Sequence, residues 1–211
     1  MENQAEYIED LRVIKKVMEE SSRFLSLSGL SGFFAGLIAL AGASIAVFVF
    51  LDGKFILSYD LFRDYDAQAL SLLKINLTCL AAAVLVLSIA VSILFSWRNS
   101  VKKGLRMWTP VSRRLLTNLI VPLVTGGILI AILLIHQEWQ LVLPSMLIFY
   151  GLGLVSVKKF TYNDIFYLGL IEIVCGLVAA ALPAYGIIIW SIGFGLLHVA
   201  YGLMMYRKYE R

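Results

Sequence analysis

Charge is what this chain has least of. Asp, Glu, Lys and Arg supply 15% of its 211 residues, against roughly 25% in soluble domains, while hydrophobic residues reach 60%. The mean hydropathy of +0.86 leaves far more apolar surface than an aqueous core of this size can absorb. Cysteine is scarce too. Cys79 and Cys175 are the only two, each inside a long apolar run, which excludes a disulfide framework and reads as small packing residues. Two histidines cannot build a His-rich metal centre alone, and no HExxH, CxxC, phosphate-loop, GxSxG or dinucleotide-binding glycine motif is present. No catalytic residue, metal or cofactor is therefore expected, and the chain is not expected to be an enzyme.

What fills the sequence is six apolar stretches, at about 26–51, 68–96, 115–135, 139–157, 162–183 and 185–206. Each is long enough to span, since about 20 helical residues cover the hydrocarbon of a bilayer. The expected fold is all-α, a polytopic membrane domain over 26–211 built as three helical hairpins. The first two spans are long and predict tilt or a protruding end. Little more than His136-Gln137-Glu138 joins the third span to the fourth, and Pro183-Ala184-Tyr185-Gly186 joins the fifth to the sixth. Residues 1–25 are different. Tyr7, Leu11, Ile14, Met18 and Leu25 recur at helical spacing with acids early and bases late, which predicts an amphipathic cytoplasmic helix. Its acidic residues argue against a cleaved signal peptide. It is a candidate surface for a second copy or a cytoplasmic protein partner.

The net charge of +4 does not point to nucleic acid, because the bases border apolar spans instead of forming a stripe on a soluble face. Arg12, Lys15, Lys16 and Arg23 precede the first span; Arg98, Lys102, Lys103, Arg106, Arg113 and Arg114 follow the second; Lys158 and Lys159 follow the fourth; Arg207, Lys208 and Arg211 close the chain. An even number of spans places all four clusters on one side. By the positive-inside rule that side is cytoplasmic, so the expectation is a multi-pass cell-membrane protein with both termini inside.

The sequence repeats itself. Gly29-Leu30 and Gly36-Leu37-Ile38-Ala39 match Gly169-Leu170 and Gly176-Leu177-Val178-Ala179 at an offset of 140 residues, and Gly127-Ile128-Leu129 echoes them in the third span. Tyr150-Gly151-Leu152 matches Tyr201-Gly202-Leu203 at an offset of 51. The three units run the same way, as parallel repeats. The last one, Gly169-Leu170-Ile171-Glu172-Ile173-Val174-Cys175-Gly176-Leu177 with Pro183 at the turn and Gly195 to Gly202 on the return, resembles the hairpin of the six-span HdeD-type acid-resistance membrane proteins. That resemblance covers about 40 residues and implies a stress-related membrane protein without a catalytic motif. The acidic N-terminal segment and longer first outer loop depart from the family pattern, and no functional residue is carried over.

Glu172 falls near the middle of the fifth span, where an ionisable side chain costs at least about 2.5 kcal/mol and needs a partner. His198 is that partner by register. Glu172 lies 12.5 positions before the turn centre and His198 13.5 after it, level to within a few ångströms. The repeat puts Gly32 opposite Glu172 and Leu147 opposite His198, so only the last unit holds the pair. Two readings stay open: a proton-sensitive switch or relay, and a hydrogen-bonded tie between helices.

Other candidates are weaker. Lys74, Asn76 and Thr78 form an outer-side polar cluster, with Lys74 expected to snorkel. The outer loop carries Asp52, Asp60, Asp64 and Asp66 without a calcium-loop spacing. Arg98, Lys102, Lys103, Arg106, Trp108, Arg113 and Arg114 offer a site for anionic lipid headgroups or an acidic partner, with Val101, Leu105 and Trp108 at helical spacing. Pro122 and Pro144 are expected to bend or start helices, and Ala35, Ala39 and Ala43 to permit close packing. The functional expectation is an accessory, sensory or stress-response membrane protein acting through partner or lipid contacts. The alternative is a small oligomeric transporter or channel using Glu172 and His198.

Overall fold

The computed structural model describes residues 28–56 and 66–210. The amphipathic helix expected over 1–25 lies outside the described residues, as do Asp60, Arg63 and Asp64 of the first loop. Among the described residues every regular element is helical. Six helices are long and apolar enough to cross a membrane: α1 (Gly29–Phe50), α2 (Ala67–Lys102), α3 (Pro110–Ile135), α4 (Trp139–Ser156), α5 (Asn163–Ala181) and α6 (Pro183–Tyr209). The chain is a multi-pass membrane protein.

Local chemistry sets the ends. The Asp66 carboxylate accepts from the Ala69 amide at 2.6 Å and starts α2. Thr109 and Ser112 form a reciprocal capping box, with Pro110 in the first helical position, where a missing N–H costs nothing. Asp52 and Gly53 end α1 in left-handed conformations, and Gly104 at φ +64° prevents α2 from continuing. Pro122 sits inside α3, whereas Pro144 falls in the first turn of the α-helical part of α4.

Two sequence boundaries are corrected by these caps. α2 runs to Lys102 instead of stopping near 96, and its 36 residues extend about 54 Å, well beyond a hydrocarbon core of about 30 Å. α3 begins at Pro110 instead of 115. Arg98, Lys102, Arg113 and Arg114 therefore ride on helix ends, and the true connection is short. The helix has ended before Leu105, so Val101, Leu105 and Trp108 share no helical face, and all three are exposed. Cys79 is also exposed, so it does not pack against the protein's interior as expected.

The closest packing joins α4 to α5 and α1 to α6. Both pairs are antiparallel and both use the repeated glycines. A methyl group at Gly36 would lie 2.7 Å from the Gly195 carbonyl, and one at Gly202 would lie 2.6 Å from the Gly29 carbonyl. In the other pair a methyl at Gly151 would lie 2.6 Å from the Gly169 carbonyl, and one at Gly176 3.0 Å from the Pro144 carbonyl. Residues 151 and 144 become 202 and 195 at the 51-residue offset, while 169 and 176 become 29 and 36 at the 140-residue offset. The two interfaces are one design used twice. α2 and α3 stand outermost: a methyl at Gly127 would meet nothing within 4 Å. At the end away from the basic clusters Ala46, Val47, Leu51, Leu73 and Ile187 close the core.

Candidate functional site

Glu172 is fully buried on the face of α5 that also carries Leu168, Gly169, Gly176 and Ala179. Packing of α5 against α4 and α6 accounts for that burial, since the small residues let neighbouring backbones approach. α6 is not a uniform helix. Its Ser191–Leu197 segment widens into a π-helix, a feature that recurs at functional sites. Gly193 lies in this segment beneath the Glu172 carboxyl. A methyl there would sit 2.7 Å from Glu172 Oε2 and 2.6 Å from Leu147 Cδ2, so the missing side chain makes room for the acid.

His198 follows the widened turn. Its Nδ1 is 3.3 Å from Glu172 Oε1 and 3.0 Å from the Gly193 carbonyl oxygen. Its Nε2 is 2.7 Å from the Tyr150 hydroxyl on α4. With acceptors gathered at Nδ1, that nitrogen carries hydrogen, and in the neutral ring Nε2 accepts from Tyr150. The Nδ1–H is aimed at Gly193, which leaves Glu172 beside the bond and neither carboxyl oxygen in a well-formed hydrogen bond. The carboxyl and ring are thus in ion-pair range without a completed hydrogen bond. Phe194 packs 4.9 Å from Tyr150 and 5.8 Å from His198, centroid to centroid, and forms an apolar wall beside the array.

A carboxylate in such surroundings is costly unless a cation faces it. Two proton arrangements fit the geometry: a neutral acid beside a neutral imidazole, or a carboxylate beside an imidazolium. These two hold the same number of protons and differ only in where one sits; loss of one proton from either leaves a carboxylate beside a neutral imidazole, and no backbone need move. Tyr150 was not singled out as a site residue by sequence reasoning, which used it only as a marker of the repeat. Its recurrence as Tyr201 was the available signal. Tyr201 lies over Gly32, where a Cβ would come within 3.6 Å of its ring, and Gly32 is the repeat equivalent of Glu172. Lacking an acid to face, the buried Tyr201 hydroxyl has no hydrogen-bond partner among the described residues.

The other candidates do not converge on this array. Lys74 donates to Gln137 Oε1 at 2.6 Å and lies 5.2 Å from the Trp139 ring centroid, tying the N-terminal part of α2 to the turn between α3 and α4. The Thr78 hydroxyl donates back to the Lys74 carbonyl at 2.9 Å, and among the described residues no hydrogen bond joins the Asn76 side chain to that tie. Arg98, Lys102, Lys103, Arg106, Arg113 and Arg114 are all exposed at the opposite end, with Arg113 5.8 Å from the Trp108 ring centroid. At that end the terminal turns are latched. Lys208 and Tyr209 donate to the Asp164 carboxylate at 3.1 and 2.8 Å, and Glu210 accepts from the Ser28 hydroxyl at 3.1 Å and from the Gly29 amide. Glu210 thereby caps α1, the favourable place for an anion at a helix N-terminus. Sequence reasoning missed this latch because its partners lie far apart in the chain, 44 and 45 residues for the Asp164 contacts and 181 or 182 for those of Glu210.

Among the described residues no group of three or more His, Cys, Asp or Glu side chains is placed to hold a metal ion. No protein-family model, curated protein or solved structure matches the chain.

Proposed function

We propose that this is a proton-responsive sensory or accessory protein of the cell membrane, with its basic loops and both termini cytoplasmic. One observation carries the reading: a fully buried carboxyl, 3.3 Å from an imidazole and without a completed hydrogen bond. A purely structural tie gains most from a satisfied hydrogen bond, whereas a carboxyl left beside its partner can gain or lose a proton at small reorganisation cost. The groups facing it are His198 from α6, Tyr150 from α4 and Cys175 one turn along α5; α1 carries no ionisable side chain between Gly29 and Phe50. The resemblance to acid-resistance membrane proteins points the same way. Output would pass through α5 and α6 to their latched cytoplasmic ends, and from there to a protein partner, residues 1–25 or anionic headgroups at Arg98 to Arg114. The chain carries this role without catalysis, and a second copy is a candidate partner.

The test is hydrogen exchange of the protein in lipid nanodiscs at two pH values. Protection of the connection at 157–162 and of the end of α6, corrected for the intrinsic pH dependence of amide exchange, should change with pH in the wild type and not in Glu172→Gln. Equal pH response in both proteins would refute the reading. The transporter alternative is favoured by the same intramembrane acid and is separated by a liposome assay. A sensor leaves a proton gradient standing; a transporter dissipates it.

A further inference from the structure

α2 carries one stripe of small polar side chains, Ser88, Ser92, Ser96 and Ser100 at four-residue spacing, with Asn99 beside the last. Among the described residues α2 packs closely against α1 alone, and that contact leaves Ser88 and Ser92 only partly buried. A helix that leaves the membrane beside a basic connection should become more exposed along such a stripe. The reverse happens: Ser96, Asn99 and Ser100 are 5%, 6% and 1% exposed. The connection between α4 and α5 departs from expectation in the same way. Connections ordinarily run over the surface, yet Thr161 and Tyr162 are 1% and 7% exposed, and the Thr161 hydroxyl has no hydrogen-bond partner among the described residues. Both places adjoin the start of α1. Phe34 stacks on Phe95 at 4.8 Å, Tyr162 meets the Tyr209 ring at 4.0 Å, and Glu210 bonds Ser28.

We propose that residues 1–25 of the same chain dock across this end of the bundle and cover both places. The segment joins the described structure at Ser28, beside them, so its tether holds it there at high effective concentration. As a helix it would extend about 38 Å, enough to cross the end of the bundle. Ser96 and Ser100 are small enough for another helix to approach closely. Charge is complementary as well. Glu2, Glu6, Glu9 and Asp10 precede the first base of the segment, whereas residues 67–137 contain no acid and present Lys102, Arg106, Arg113 and Arg114, all exposed. Docked there, the segment rests against the connection that leads into Asp164 and the latch, and it occupies the surface that a protein partner would otherwise reach. The docking stands whether or not the buried pair is proton-responsive.

The experiment uses the full chain with Cys79→Ser and Cys175→Ser, one copy per nanodisc of neutral lipid. It reads the rate at which a water-soluble maleimide labels Ser100→Cys. Removal of residues 2–25 should raise that rate by about tenfold or more, since the site then no longer waits for the segment to lift. Reversing Glu2, Glu6, Glu9 and Asp10 to Lys in the full-length chain should raise it too, without shortening the protein. A charge-reversed chain that labels as slowly as its parent would overturn the docking. So would a shortened chain with an unchanged rate, which would mean that α1 alone covers Ser100. Protection that needs two copies per disc, or anionic lipid, would assign the cover to a second copy or to headgroups and overturn the proposal equally.

Discussion

α1 with α6 and α5 with α4 are two copies of one antiparallel interface, and they differ at a single functional level. Each carries a tyrosine from the Tyr-Gly-Leu motif, and the two tyrosines meet different partners. In one copy Tyr150 meets His198 and, through it, Glu172; in the other Tyr201 meets Gly32 and its hydroxyl is left over. The backbone fit is therefore sufficient without the acid. Glu172 is an addition to an interface that already packs, which separates the purpose of the acid from the stability of the fold.

The glycines should dominate any attempt to break this comparison. Gly202→Leu and Gly151→Leu each force a side chain against a facing backbone carbonyl and should each cost about 3 kcal/mol or more, read as lost thermal stability in detergent. If only one copy were sensitive, the two interfaces would not be equivalent. Next in size is the tyrosine pair. Tyr150→Phe removes a hydroxyl that bonds His198 and should cost about 1 kcal/mol, whereas Tyr201→Phe removes an unpartnered one and should be neutral or stabilising. Equal costs, measured by equilibrium unfolding, would contradict the asymmetry.

The double variant Glu172→Leu/His198→Leu should leave stability nearly unchanged, because replacing both members of a buried ionisable pair by apolar residues is often neutral. Unfolding of this variant at fixed pH would reveal a structural role if the loss approached that of the glycine variants. The smallest effect is expected at the latch. Lys208 is half exposed, so the effect of Lys208→Met on stability should be small and become undetectable at high salt. A large, salt-independent loss would mean that the latch holds the helix ends together by something other than the ion pair.

Much of the architecture was legible because bilayer spans announce themselves as apolar runs, and the register of Glu172 with His198 followed from counting residues about a tight turn. The repeat was visible, but its meaning was not. Matching motifs on α1 and α5 and on α4 and α6 suggested three hairpins, while the structure mates the motifs between units, since close glycine contact depends on which faces meet and the sequence does not specify it. Likewise, the cap at Thr109 and the left-handed Gly104 set helix ends inside segments that hydropathy had assigned to loops. Nothing in the sequence pattern marked the π-helical turn at Gly193, because its signal lies in backbone geometry. Nor did it link Glu210 to the start of α1.

The central claim is that the Glu172–His198 pair exchanges a proton as pH changes. Its most direct measurement is nitrogen NMR of the His198 ring in lipid nanodiscs, selectively labelled, from about pH 5 to pH 8, the range in which histidine chemistry operates. The ring nitrogens should change protonation in the wild type, and the change should move or vanish in Glu172→Gln. Ring signals that stay fixed across that range, or that titrate identically in both proteins, would contradict the account.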